Sequence, residues 1–157
     1  MKEISKAILK VMEEVKNIEK SMTVGSGSFG YKGVSDKDVK EILQPVMVKN
    51  GLSILPIGVE AKATTDRWEE GGKNKQSTLT EVTTKYLLLH SSGESIKLAG
   101  YGQGVDSQDK GAGKATTYAL KYALLYTFLI PTGKIDDADN THSDDIEVPK
   151  SNKSFTI

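Results

Sequence analysis

Residues 100–133 read GYGQGVDSQDKGAGKATTYALKYALLYTFLIPTG, and this stretch decides the fold. Gly100, Gly102 and Gly104 alternate with Tyr101 and Gln103. Alternate residues of a strand share a face. A strand here therefore has one face without side chains, open to close approach by backbone or ligand. Asp109 to Leu129 then returns to helical spacing, with Asp109 placed to cap the start and Pro131 and Gly133 to end it. Ala112, Ala115, Ala119 and Ala123 fall within about 80° at roughly 100° per residue. A smooth ridge and a bare strand face predict a helix packed closely on a sheet.

Upstream, the sheet has two more members. Leu52 to Ala63 is apolar and β-branched, and Leu79 to His90 is rich in Thr, Val, Tyr and Leu. Thr64 to Ser77, with Gly71-Gly72 inside it, reads as a polar insert between them. Ser91-Ser92-Gly93-Glu94 is a turn, and Ser95 to Gln103 is the third strand, giving a meander. Before the sheet, Ile4, Ile8, Val11, Val15 and Ile18 recur at helical steps and predict a helix over 3–20. Ser21 to Gly33 reads as a loop. Ser35 with Asp38 marks a second helix start, whose Val39, Ile42, Leu43 and Val46 face inward and which stops near Asn50-Gly51. Pro45 inside it predicts a kink. The fold class is α+β: N-terminal helices and a three-stranded antiparallel meander packed on a long C-terminal helix.

Length bounds this further. A chain of 157 residues suggests one domain with a tail. We divide it into 1–134, the folded unit, and 135–157, a polar, acidic tail with few large apolar groups. The absence of cysteine excludes a disulfide framework, a thiolate metal site and a thiol nucleophile. No apolar run approaches the ~18 residues of a spanning helix, and the N-terminus lacks a signal peptide's apolar stretch, so the reading is a soluble intracellular protein without a membrane partner. The 21 basic and 21 acidic residues cancel, but unevenly. Residues 134–157 hold three Lys against six acids, leaving 18 basic and 15 acidic residues in 1–133. That balance permits a polyanion partner without demanding one.

The last helix carries the sharpest chemical signal. Lys110, Lys114, Thr117 and Lys121 span only about 60° of the helix, opposite the alanines. Such a stripe is ordinarily a solvated face; the alternative is a track for phosphates. Tyr118 and Tyr122 flank it as core residues, partner contacts or stacking platforms. Other chemistry fails. A phosphate loop needs Gly where Gln108 stands and a hydroxyl where Ala115 stands. Asp136, Asp137 and Asp139 lack the glycine and distal Glu of an EF-hand. His90 and His142 have no partner nucleophile pattern. We expect no cofactor, no metal and no enzyme activity.

The run Gly104-Val105-Asp106-Ser107-Gln108-Asp109-Lys110, with Lys114-Ala115-Thr116-Thr117, Ala119 to Leu125, Phe128 to Gly133 and Asp136-Asp137-Ala138-Asp139, resembles the phage essential recombination function (ERF) family. Gly30 to Ser35, Leu43-Gln44-Pro45 and Gly51-Leu52 resemble its N-terminal half, so the likeness spans roughly residues 1–140. Lys114-Ala115, Thr117, Ala119 and Lys121 are also similar to the last helix of the ring-forming Rad-fifty-two type of annealing protein. There a basic residue follows the second Lys, where this chain has Tyr122.

The resemblance implies a β-β-β-α core, a homo-oligomeric ring or filament, and ATP-independent binding and annealing of single-stranded DNA in the bacterial host cytoplasm. It places DNA in a groove between the sheet and the final helix. On that basis Lys110, Lys114, Thr117 and Lys121 are DNA contacts. Lys97, Tyr101 and Gln103, which share a strand face, form groove floor or wall, and Arg67 with Trp68 is a second DNA or subunit contact. The acidic tail competes with DNA or binds a partner such as the host single-strand-binding protein. Two alternatives stand beside this: a metal-dependent DNA-processing enzyme using Asp106, Asp109 and the Asp136 cluster, and an assembly module without DNA binding.

Overall fold

A computed structural model describes residues 1–18, 20, 22–24 and 31–132. The order is α1 (Lys2–Glu14), β1 (Met22–Val24), β2 (Tyr31–Gly33), α2 (Asp36–Lys49), β3 (Leu52–Glu70), β4 (Lys73–His90), β5 (Ser95–Asp106) and α3 (Gly111–Thr127). β3, β4 and β5 form an antiparallel meander in sequence order, and β1 pairs with β2 in a separate hairpin. The class is α+β, as expected. The segment 135–157 lies outside the described residues.

Local chemistry explains the helix boundaries. Ser35 accepts from the Asp38 N–H while the Asp38 carboxylate accepts from the Ser35 N–H, a reciprocal cap worth about 1 kcal/mol. Pro45 lies inside α2 without ending it. The chain turns at Gly51, whose φ of 69° suits glycine. α1 is shorter than expected: it ends at Glu14, and Val15 is already extended. Val15 and Ile18 stay buried beyond the helix, so the apolar spacing persisted after helical geometry stopped. α3 ends with the Ile130 N–H donating to the Leu125 carbonyl and Leu129 in the left-handed region at φ 48°, a Schellman arrangement without glycine. Two further expectations fail here. Residues 22–24 and 31–33 pair as strands, not a loop, and α3 is preceded by Lys110, not capped by Asp109.

The sheet differs most from expectation in its length. The segment 64–77 is no insert: β3 and β4 stay paired from Leu52–His90 to Glu70–Lys73, with one bulge between Pro56 and Gly58. Gly71 and Gly72, at φ 61° and 72°, form the two-residue turn that such a hairpin requires. β5 pairs with β4 only as far as Asp106–Thr78, so the tip of the hairpin projects beyond it as an arm. The core gathers at the other end. Ile4 and Val11 of α1, Val39 and Leu43 of α2, Leu88 of β4 and Phe128 after α3 are essentially sealed from solvent.

Candidate nucleic-acid interface

The glycine–alanine match holds. Gly100, Gly102 and Gly104 are buried on the face of β5 that meets α3, where Ala115, Ala119 and Ala123 are buried. A Cβ at Gly100 would sit 2.6 Å from both the Ala119 carbonyl oxygen and Thr84 Oγ1. One at Gly102 would overlap the Ala115 carbonyl outright. Strand and helix thus touch backbone to backbone. Ala112 is exposed, and Gly111 takes the first place in the ridge instead.

Close contact sets the rim of α3 beside the outer edge of β5, which is unpaired among the described residues. Tyr118, Tyr122 and Tyr126 recur at four-residue steps along that rim. Their rings stack, with centroids 6.2 Å apart between the first pair and 5.9 Å between the second. Tyr122 is 40% exposed and Tyr126 72%. Between this ladder and residues 98–103 of β5 runs an open groove of about 770 Å³. Tyr101 and Gln103 line it, and Thr83 and Thr127 add hydroxyls. The Tyr101 hydroxyl donates to Glu81 Oε1 at 2.8 Å, and Gln103 Nε2 donates to the Tyr101 oxygen at 2.6 Å. The Glu81 contact raises the Tyr101 pKa, so the phenol stays protonated and keeps its donor. Tyr126 went unnoticed in the sequence, although its spacing after Tyr118 and Tyr122 announced it.

The lysine stripe does not form. Lys121 is 6% exposed, and its ammonium donates to the Val34 carbonyl at 3.0 Å. It lies 4.6 Å from the Tyr118 ring centroid and 4.9 Å from that of Tyr122. Burial lowers its pKa, and the Asp36 carboxylate partly offsets this. The expectation that Lys121 points outward is thus corrected: α2 and the segment around Val34 cover the side of α3 away from the sheet. Lys114 is half exposed but engaged, with its amine ion-paired to Asp106 and donating to the Val105 carbonyl. Asp106 also accepts from the Gln108 N–H, and these bonds, the Lys114 one foremost, hold its carboxyl below the usual range. Lys110 and Thr117 are exposed. Thr117 borders a smaller cleft with Asp36, Lys40 and Leu120, not the tyrosine groove. Lys97 is exposed on β5, two residues before Ala99 of the groove, and Arg67 and Trp68 are exposed far along the arm. The eight residues therefore do not converge: Tyr101 and Gln103 stand together, and the others are spread.

Among the described residues no group of three His, Asp or Glu side chains could hold a metal ion. The Asp136 cluster lies outside them. Among the described residues no helix is long and apolar enough to cross a membrane.

Comparison with curated proteins gives no match. The sequence profile described as ERF superfamily matches residues 4–154, nearly the whole chain and well past the last described residue. That match, over nearly the whole sequence, shows that the chain belongs to the ERF superfamily, whose members serve in phage recombination by single-strand annealing.

Proposed function

We propose that the groove between β5 and α3 binds single-stranded DNA, and that the protein uses it to anneal complementary strands without ATP. The observation that carries this reading is the ladder of three stacked, partly open tyrosines beside the outer edge of β5. Each base has a π-face, so aromatic platforms hold any sequence, at about 1–3 kcal/mol per stacked base. Stacking covers the face of a base and leaves its hydrogen-bonding edge free. A second strand can then be tested for complementarity while the first is held.

Electrostatics play a lesser part than a lysine track would give them. Lys97 and Lys110 are exposed near or beside the helix–strand layer and suit phosphates. One copy offers few such contacts, so repetition along the strand must supply affinity. Homo-oligomerisation belongs to this reading. The outer edge of β3 is unpaired among the described residues and exposes Leu55, Ile57 and Val59, a surface suited to a neighbouring copy.

The test is fluorescence anisotropy on a labelled oligothymidylate, together with the annealing rate of two complementary oligonucleotides. Tyr122→Leu with Tyr126→Leu is expected to weaken binding at least ~10-fold and to slow annealing in step. Undiminished affinity and rate in a folded double variant would remove the groove from the account.

A further inference from the structure

Lys121 presents an unusual energetic problem. A buried ammonium is costly unless partners replace its water. Of its three donors, one meets the Val34 carbonyl. No carboxylate among the described residues comes within ion-pair distance, and Asp36 instead pairs with Lys40 at 2.7 Å. Asp36 acts on the charge at longer range, and the faces of Tyr118 and Tyr122 add to it, both within the range where a ring attracts a cation. An apolar side chain would fill the same space at lower cost. What it would not do is fix two ring planes at once.

Its position fits that role. Lys121 precedes Tyr122 and follows Tyr118 by three residues on α3, and it does not line the groove. Its amine is anchored on Val34, next to the Ser35–Asp38 cap that fixes the start of α2. The tyrosine wall is therefore tied, through one ammonium, to the layer on the far side of α3. We propose that Lys121 is a positioning residue: held by the Val34 carbonyl, its ammonium sets the Tyr118 and Tyr122 rings for base stacking and touches no phosphate. This rests on the groove reading above and assigns Lys121 a part opposite to that of a phosphate contact.

The two parts are separable by experiment. Binding of the full chain is measured on an oligothymidylate and on an abasic strand of equal length, each across a salt series. Wild type is expected to favour the base-bearing strand by at least ~10-fold, because stacking is lost on the abasic one. Lys121→Met is expected to lose about tenfold on the base-bearing strand and to match wild type on the abasic strand. Its log–log salt slope should equal that of wild type. Lys121→Gln, which keeps a donor toward Val34 without the charge, should show the same pattern and covers the case in which Met disturbs folding. A slope shallower by roughly 0.7, with equal losses on both strands, would make Lys121 a phosphate contact and overturn the proposal. Unchanged affinity on both strands with only a lower melting temperature would also overturn it, leaving a purely structural residue. If wild type itself binds both strands equally, the groove reading fails first, and that result is distinct from the other two.

Discussion

Along β5, three glycines let the backbone of α3 come down onto the sheet; along β3, the other edge, the inward-facing Val59, Ala61 and Ala63 are left open to solvent. Both edges belong to one meander, and both alternate regularly. They differ in what the alternation offers a helix. From Gly100 to Gly104 β5 presents no side chain to α3, so a ridge of alanines can lie against it and bury the contact. From Val59 to Thr64, β3 carries polar or charged residues on one face and small apolar ones on the other, too little apolar volume to recruit a layer. One edge becomes a packed wall with a tyrosine groove beside it. The other stays an open edge, which runs on past Thr65 into the projecting arm.

The sharpest way to break this comparison is to add the same bulk to both edges. Gly102→Val should lose ~3 kcal/mol or more in urea denaturation, because no rotamer avoids the Ala115 carbonyl. Ala61→Val, on the corresponding face of β3, should change stability by less than ~0.5 kcal/mol. A large loss at Ala61 would mean that the β3 edge is covered in solution, for instance by a second copy. For ligand binding the contrast is between aromatics. Tyr122→Leu should cost roughly 1 kcal/mol or more of single-strand affinity, whereas Trp68→Ala on the arm should leave it within about twofold of wild type. Equal effects would erase the functional difference between the edges.

Smaller effects sharpen the picture. Gly71→Val meets no neighbouring atom but needs a left-handed backbone, so it should cost about 1–2 kcal/mol through conformation alone. On the packed side, Leu129→Gly removes the same kind of penalty and should add up to ~1 kcal/mol. The least is expected from Asp106 and Lys114, an exposed pair that joins β5 to α3. The Asp106 carboxyl is held below its ordinary 3.8, so its contribution is present above that value and fades as pH falls through the lower folded value. Asp106→Asn should lower stability slightly at neutral pH and converge with wild type at acid pH, where the carboxyl is protonated in any case.

Much of the packed edge was legible. Alternate glycines and an alanine ridge specify each other, and the Ser35–Asp38 cap is a local signal that needs no tertiary knowledge. The arm was not read, because Thr64 to Ser77 has no apolar alternation, although Gly71-Gly72 already had the form of a two-residue hairpin turn. The lysine stripe failed for a different reason. A helical wheel gives azimuth, not what covers it. Leu125 and Phe128 lie within about 40° of Lys121 on that wheel, and both are buried. They were the sign that the C-terminal half of α3 is covered on both sides. The tail from 133 onward is outside the described residues, and the competition assigned to its acids has no structural counterpart here.

The central claim is that single-stranded DNA lies along the tyrosine ladder. It is tested most directly by photocrosslinking an iodouracil-substituted oligonucleotide to the protein and sequencing the modified peptide. The account predicts crosslinks at Tyr118, Tyr122 or Tyr126, with Tyr101 as the alternative position across the groove. Crosslinks confined to the β3–β4 arm around Trp68, with α3 unmodified, would contradict it.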